Sequence, residues 1–395
     1  MVNETAKQLK EIFHRPLVEE LASRVADHFP AMDTQVFVQQ IVNDFPQLSL
    51  MARSRRIAQG LHNHLPPSFP QAVAILLASL GAEDGSGGVE GHEGFRYLPF
   101  LNFVGLYGLQ HPEISLAALE RMTCYFSAEF DIRPFLLQYP ELTLSRMKAW
   151  SHHSDWRLRR LASEGARPRL PWGMRLQSFI KDPTPCLEIL EPLQADPHPV
   201  VRRSVANHLN DVSKDHPLVT VATARRWLAT GEQGTRWIVG HALRTLVKEG
   251  HPQALALLGF SGDLLPETVA FTLSPSRVVL GEAVTFTAIL RCREAATLSI
   301  DYALHHKRQN GSHARKVFKL TRKRVAMGEE LTLQKSHPMH LITTRRYYPG
   351  SHGIDILING RVVCGGIFEL EMPWLNSPWR VNQTFCFFRE LRVSG

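Results

Sequence analysis

The sequence predicts a mainly α fold, a HEAT-like helical-repeat solenoid followed by a small all-β immunoglobulin-like sandwich. Apolar residues recur at spacings of three and four through the first two thirds of the chain. A basic helical segment returns after 43 residues, inside the roughly 40 to 47 residue period of HEAT-type repeats. Beyond SGDLLPE, β-branched and aromatic residues alternate with polar ones instead.

In chain order, the helical spacing begins with Leu9, Ile12 and Phe13, continues through Leu17, Leu21 and Val25, and repeats at Phe37, Ile41 and Phe45. Asp33 stands where a helix cap or turn is expected. This first segment reads as scaffold. Gly81 to Gly94 reads as a flexible loop, because its glycines lack the order of a phosphate-binding loop. Between Phe95 and Trp150 the periodicity is helical again, with Phe130, Phe135 and Leu136 expected in the core. Arg133, directly before Pro134, is expected at a helix boundary, placed to reach a ligand from a turn.

The repeats follow. In DWRLRRLASEGARPRLPW (155–172), a helix from Trp156 to Gly165 gathers Leu158, Leu161, Ala162 and Gly165 on one side and Arg157, Arg160 and Glu164 on another. A lone Glu among arginines reads equally as a solvated ion-pair network. The pattern returns in DPHPVVRRSVANHLNDVSKDHP (196–217), where Arg202 and Arg203 follow Arg159 and Arg160. Here Val201, Val205, Leu209 and Val212 form the buried stripe. Arg203, Asn207, Asn210, Asp211 and Lys214 fall opposite it. A weaker third copy carries Arg236, Gly240, Arg244 and Lys248 at four-residue steps, with Trp237 expected in the core. Stacked, the three helices present arginine rows with Glu164 and Asp211 among them.

From Val269 on, about seven short strands separated by turn signals suggest the sandwich. Between Asp301 and Arg346 there are eleven Lys or Arg against three Asp or Glu. The basic run from Lys307 to Arg324 suits either a nucleic-acid contact or the lysine-rich edge that keeps strands from aggregating. The expected boundaries are 1–262 for the helical domain, 263–372 for the β-domain and 373–395 for a tail to which no function is assigned.

Composition narrows the chemistry. With 395 residues and 44% hydrophobic content, two domains are expected. A net charge of +8 favours a polyanionic partner. Five cysteines without CxxC spacing suggest neither zinc nor a redox pair, so no metal and no cofactor are expected. The charged N-terminus and the lack of any apolar run near 18 residues point to a soluble, cytoplasmic chain with no membrane contact. HExxH, GxSxG and Walker sequences are absent.

Arginine forks suit phosphate oxygens, and rows on successive repeats would track a nucleic-acid backbone. Acids inside such a surface repel phosphate and are hard to explain as binding groups, but they make sense if a cation appears there. An alkylated purine is cationic, and the sugar gains oxocarbenium character as its glycosidic bond breaks. A carboxylate stabilises that charge and orients a water toward C1′. An indole face adds cation–π attraction on the order of 0.5 to 2 kcal/mol.

RRLASEGARPRLPW, RRSVANHLNDVSKDHP and TRWIVGHALRTLVKEGHP resemble the signature segments of the AlkC branch of the HEAT-repeat alkylpurine DNA glycosylases, relatives of the AlkD branch. KRQNGS and YYPGSHGIDILINGRV resemble the immunoglobulin-like domain of some AlkC members. The likeness runs from about residue 120 to 370 and leaves out the tail. It implies metal-free hydrolysis of cationic alkylated purines, chiefly 3-methyladenine, in double-stranded DNA without full base flipping. The chain would be a monomer in the bacterial cytoplasm, associated with the nucleoid when bound to DNA. By the same resemblance, Asp211, Glu164 and Trp172 are the catalytic candidates. Asp211 holds the water, Glu164 shares its electrostatic work and Trp172 packs on the lesion or deoxyribose. Arg160, Arg167, Arg202, Arg203, Asn207, Lys214, Arg236 and Arg244 are the candidate DNA contacts.

Three alternatives stay open on the residues alone. One is a glycosylase with lyase activity through Lys181 or Lys214. The others are a non-catalytic binder of alkylated DNA and a protein-binding HEAT-repeat scaffold.

Overall fold

The computed structural model describes residues 9–82, 93–262, 264–342 and 345–373. The tail beyond Pro373 and most of the Gly81–Gly94 stretch lie outside them. The chain divides into two compact units, Met1–Leu243 and Arg244–Gly395.

The first unit opens with helices α1 (Arg15–Ala26), α2 (Thr34–Val42), α3 (Leu50–His64) and α4 (Phe69–Ala78). It continues through α5 (Leu98–Tyr107), α6 (Pro112–Met122), α7 (Arg133–Gln138) and α8 (Pro140–Trp150). Asp33 caps α2, accepting from the Val36 amide at 3.0 Å. Proline stands in the first turn of α5, α6, α7 and α8, where its fixed φ suits a helix start and its missing N–H costs nothing. Chain breaks in the sequence thus become helix starts, and successive helices pack into one apolar cluster. That cluster includes Phe13, Phe37, Phe100, Phe103 and Phe135.

The repeat region comprises α9 (Trp156–Gly165), α10 (Gln177–Lys181), α11 (Thr184–Leu190), α12 (Pro199–Val212), α13 (Pro217–Leu228) and α14 (Gln233–Ala242). The expected stripes are buried: Leu158, Leu161 and Ala162 on α9, and Val201, Val205, Leu209 and Val212 on α12. α12 packs against both α9 and α14. At the end of α9 a Cβ on Gly165 would meet Ile132 Cγ2 at 2.8 Å, so only glycine permits that approach.

The 43-residue spacing has a structural meaning. Arg159 Nη1 donates to the carbonyls of His153 and Ser154 at 2.9 and 2.8 Å, six and five residues back. Arg202 Nη1 donates to Asp196 and Pro197 at 2.8 and 2.7 Å, at the same offsets. α9 and α12 therefore each carry a brace on the chain leading into them. Arg159 also pairs with Asp196 at 2.6 Å, joining one brace to the next.

One core expectation fails. Trp237 is 47% exposed and stacks on His241 with centroids 5.2 Å apart. The buried stripe of α14 is Thr235, Ile238, Val239 and Ala242, and Trp237 points off it.

Among the described residues the second unit holds two short helices, α15 (Arg244–Lys248) and α16 (Pro252–Leu257), followed by eight strands. These are β1 (Glu267–Ser274), β2 (Arg277–Val279), β3 (Ala283–Arg291), β4 (Ala296–Lys307), β5 (His313–Val325), β6 (Glu330–Pro338), β7 (Gly350–Ile358) and β8 (Arg361–Glu371). One sheet runs β1-β3-β6 and the other β2-β8-β7-β4-β5. The strand beyond the seven expected is the three-residue β2, which pairs parallel to β8 and is too short to show alternation. The sheets enclose a second apolar core that includes Phe286, Leu304, Ile354 and Phe368. Asn359 and Gly360, with φ of 51° and 80°, turn β7 into β8 in the left-handed geometry a tight hairpin requires. The basic β5 is an edge strand. Its Arg322 is engaged, donating to Leu258 O at 2.9 Å and covering the Phe260 ring. No helix among the described residues is long and apolar enough to cross a membrane.

Candidate active site

The candidate acids come from consecutive repeats and meet on one guanidinium. Glu164 lies in the last turn of α9 and Asp211 in the last turn of α12. Arg167 leaves α9 two residues beyond its end and extends between them. Its Nη1 donates to Glu164 Oε1 at 2.6 Å and its Nε to Asp211 Oδ2 at 2.9 Å. Lys214 Nζ reaches Asp211 Oδ1 at 3.0 Å, and the Ser204 hydroxyl donates to Glu164 Oε2 at 2.6 Å.

Burial separates this cluster from a surface ion pair. Glu164 is 7% and Asp211 3% exposed, so the expectation of a solvated Glu164 and an open Asp211 face is corrected. Asn210 is buried as well. Stacking α12 against α9 covers the ends of both helices, which periodicity within one helix cannot reveal. Burial by itself would raise the Glu164 carboxyl, but Arg160, Arg167 and the Ser204 hydroxyl outweigh it. Glu164 is therefore held below the ordinary carboxylate range and is anionic at neutral pH.

Behind the acids sits His208, fully buried, with Nδ1 2.8 Å from Ser163 O, so that nitrogen donates. Burial pushes its imidazole from 6.5 down to about 4, against smaller opposing effects that include Asp211. The folded chain therefore keeps His208 neutral while the unfolded chain protonates it near 6.5. Its stabilising contribution is complete above pH 6.5 and is lost as pH falls toward 4, on the order of 3 kcal/mol in all. His208→Gln is expected to flatten the acid-side loss of stability in urea melts run between pH 7 and 4. An unchanged slope would assign that loss to other groups.

The loop after α9 is the third component. Trp172 is 72% exposed with φ 63°, a left-handed conformation that a bulky aromatic holds only when its surroundings enforce it. It is therefore not packed between repeats. Arg169 pairs with Asp215 at 2.8 Å, one turn beyond the Arg167–Asp211 contact, so the loop is held along the end of α12 at two points.

The candidate DNA contacts divide by environment. Arg203 and Arg236 are exposed on α12 and α14, and Lys214 is exposed at the end of α12. Asn207 is half-buried, with its Oδ1 3.3 Å from His241 Nε2. Arg160 already binds Glu129 and Ser127 at 2.7 Å each, Arg167 binds the two acids and Arg202 braces its repeat. Arg244 opens α15 in the second unit. Lys181 is exposed, and the partners of Asp211 are Arg167 and Lys214.

Arg133 corrects another expectation. It is fully buried rather than presented from a turn, and its guanidinium donates to the carbonyls of Gly165, Arg167 and Met174 at 2.7, 2.9 and 2.9 Å. The sequence signal was present, since it is the one charge in an apolar IRPFLL stretch. Ser204 and His208 also went unmarked. Their signal was polar groups on the buried side of a helix, where a partner is obligatory. Among the described residues no group of His, Cys, Asp and Glu is placed to hold a metal ion.

Comparison with known proteins agrees with this architecture. Residues 267–372 match the family model described as "Uncharacterised protein YhaZ, C-terminal Ig-like domain". Over 355 residues the chain is 37% identical to uncharacterized protein YhaZ of Bacillus subtilis (strain 168), covering 90% of this chain and 97% of that one. Its structure superposes on the Pseudomonas fluorescens alkylpurine DNA glycosylase AlkC bound to DNA containing an abasic site analog. The TM-score is 0.85 at 36% identity, over 92% of this chain and all of that one.

Proposed function

Because the chain belongs to the AlkC branch of the HEAT-repeat alkylpurine DNA glycosylases, we propose that it removes cationic alkylated purines, chiefly 3-methyladenine, from duplex DNA. The observation that carries the reading is the convergence of Glu164 and Asp211 on Arg167. Two buried carboxylates from neighbouring repeats share one guanidinium, Glu164 being held below the ordinary carboxylate range, beside exposed cations suited to a phosphate backbone. That is the field a developing sugar cation needs.

In the reaction, the C1′–N bond breaks and its electron pair goes to the alkylated purine, which leaves neutral. Water forms the new bond to C1′ and gives up a proton, for which Asp211 is the acceptor. Glu164 stabilises the positive sugar through space and Trp172 packs against the lesion or the deoxyribose. The Asp211 oxygens each accept one bond from protein, leaving a lone pair for the water. Lys214 is the exposed member of this group, with 42% of its side chain in solvent, and a DNA phosphate is its alternative partner. Arg203, Asn207 and Arg236 are assigned to the backbone together with Lys214. The protein acts as a monomer in the cytoplasm and needs no cofactor.

The test is the release of free 3-methyladenine from methylated duplex by the full chain, with borohydride present in a parallel reaction. Base release without covalent trapping is expected. Trapping would instead indicate a lyase using a lysine such as Lys214, and no release at all would leave a DNA-binding platform. Affinity for duplex DNA should fall by roughly 10³ or more between 50 and 200 mM salt if about six phosphates are neutralised.

A further inference from the structure

We infer that Arg133 is a positioning residue for this reaction, setting Arg167 and Trp172 by pinning the main chain of the loop that carries both. The inference rests on the proposed glycosylase reading. It stands on how the guanidinium spends its donors.

A buried arginine ordinarily faces a carboxylate. Arg133 instead gives Nη1 to Gly165 O, Nη2 to Arg167 O and Nε to Met174 O, with Nη2 also within reach of Met174 O. Gly165 O is an orphan acceptor at the end of α9, where the helix dipole favours a cation. Arg167 O belongs to the residue whose side chain spans the two acids. Met174 O lies two residues past Trp172. The loop has no regular secondary structure between α9 and α10. Its few internal bonds, Gly173 N–H to Leu170 O and Leu176 N–H to Pro168 O, are both 3.2 Å long.

Two sides of one peptide segment are thus fixed independently. Asp211 in the last turn of α12 and Asp215 just beyond it hold the Arg167 and Arg169 side chains, and Arg133 holds the backbone from α7. Only a planar fork with several donors in rigid geometry can serve three carbonyls that converge from different directions. A lysine fills similar volume and keeps the charge without the fork. Pro134 in the first turn of α7 fixes the helix start from which Arg133 extends.

The experiment compares the full-length wild type, Arg133→Lys, Trp172→Ala and the double variant. Single-turnover release of 3-methyladenine, duplex affinity and trypsin cleavage after Arg169 and Arg175 are measured on each, below the melting temperature. Arg133→Lys is expected to lose on the order of 10²-fold in release, the usual consequence of displacing a reacting group by about 1 Å. Its affinity for duplex should be little changed and the loop should be cut faster than in wild type. Adding Arg133→Lys to Trp172→Ala should cost less than adding it to wild type. A merely structural role would lower the melting point without producing this non-additivity.

Undiminished release by a folded Arg133→Lys, or a loss fully additive with Trp172→Ala and without faster cutting, overturns the inference. If wild type releases no base, the glycosylase reading fails and the trypsin pattern alone judges whether Arg133 pins the loop. If Arg133→Lys does not fold, the wild type decides. Its Arg169–Leu170 bond should resist trypsin until the chain melts, and cleavage at the rate of denatured protein overturns the inference.

Discussion

Asp211→Asn is expected to reduce base release by on the order of 10²- to 10³-fold, the usual cost of removing one preorganised electrostatic group from a reacting centre. Asparagine keeps an oxygen where Arg167 Nε donates at 2.9 Å, so local geometry survives while the anion is lost. Duplex binding should hold or strengthen slightly, because a negative charge beside phosphates has been removed. The decisive comparison is single-turnover release against affinity, for wild type and variant side by side. Full activity in a folded Asp211→Asn would remove Asp211 from the mechanism and return the acids to a purely structural role.

Arg167→Met should be the most damaging single change to stability in the first unit. It leaves two buried carboxylates without the guanidinium they share, and breaking a buried pair from one side costs roughly 3 to 5 kcal/mol. Arg167→Lys should recover part of that, since one ammonium cannot reproduce a fork that satisfies Glu164 and Asp211 from different nitrogens. The deficit carries a pH signature. Arg167 is among the groups holding Glu164 below the ordinary carboxylate range. The stability from that pairing is present above the unfolded carboxylate value of about 4.3 and disappears as pH falls through the lower folded value. Urea melts of wild type and Arg167→Met should therefore converge as the solution is acidified below about pH 4. A deficit of the same size at neutral and acid pH would mean that packing, and not charge, is what Arg167 contributes.

These two effects bear on a common design. Glu164 is useful to a reaction that develops positive charge only if it stays ionised out of water, and the arginines that keep it so are not the ones left open to solvent. Arg160 and Arg167 keep Glu164 charged, while Arg203, Arg236 and Lys214 remain at the surface. Arginines in one stretch of sequence thus fall into two environments, engaged with acids or open to solvent. A basic row read from periodicity cannot separate them.

The order of the helices, their buried stripes and the change to alternating strands were legible in the chain. So were the repeat spacing and the likeness to a family, because each rests on local periodicity or on contiguous residues. Leu158 and Leu161, and Val201 and Val205, sit as their neighbours dictate. The partners of charged groups were a different matter. Arg202 reads as an uncommitted guanidinium until its carbonyl acceptors are seen, Arg133 as a ligand-facing residue until three carbonyls close around it, and Trp237 as core until α14 turns it outward. Glu164 and Asp211 stand 47 positions apart in the chain, and only the stacking of α9 and α12 brings them to one guanidinium. Helical spacing fixes which face a residue occupies. What lies within hydrogen-bond reach of that face is decided by the packing of segments distant in sequence, and that distance of about 3 Å determines whether an arginine is a brace, a counter-ion or a hand for DNA.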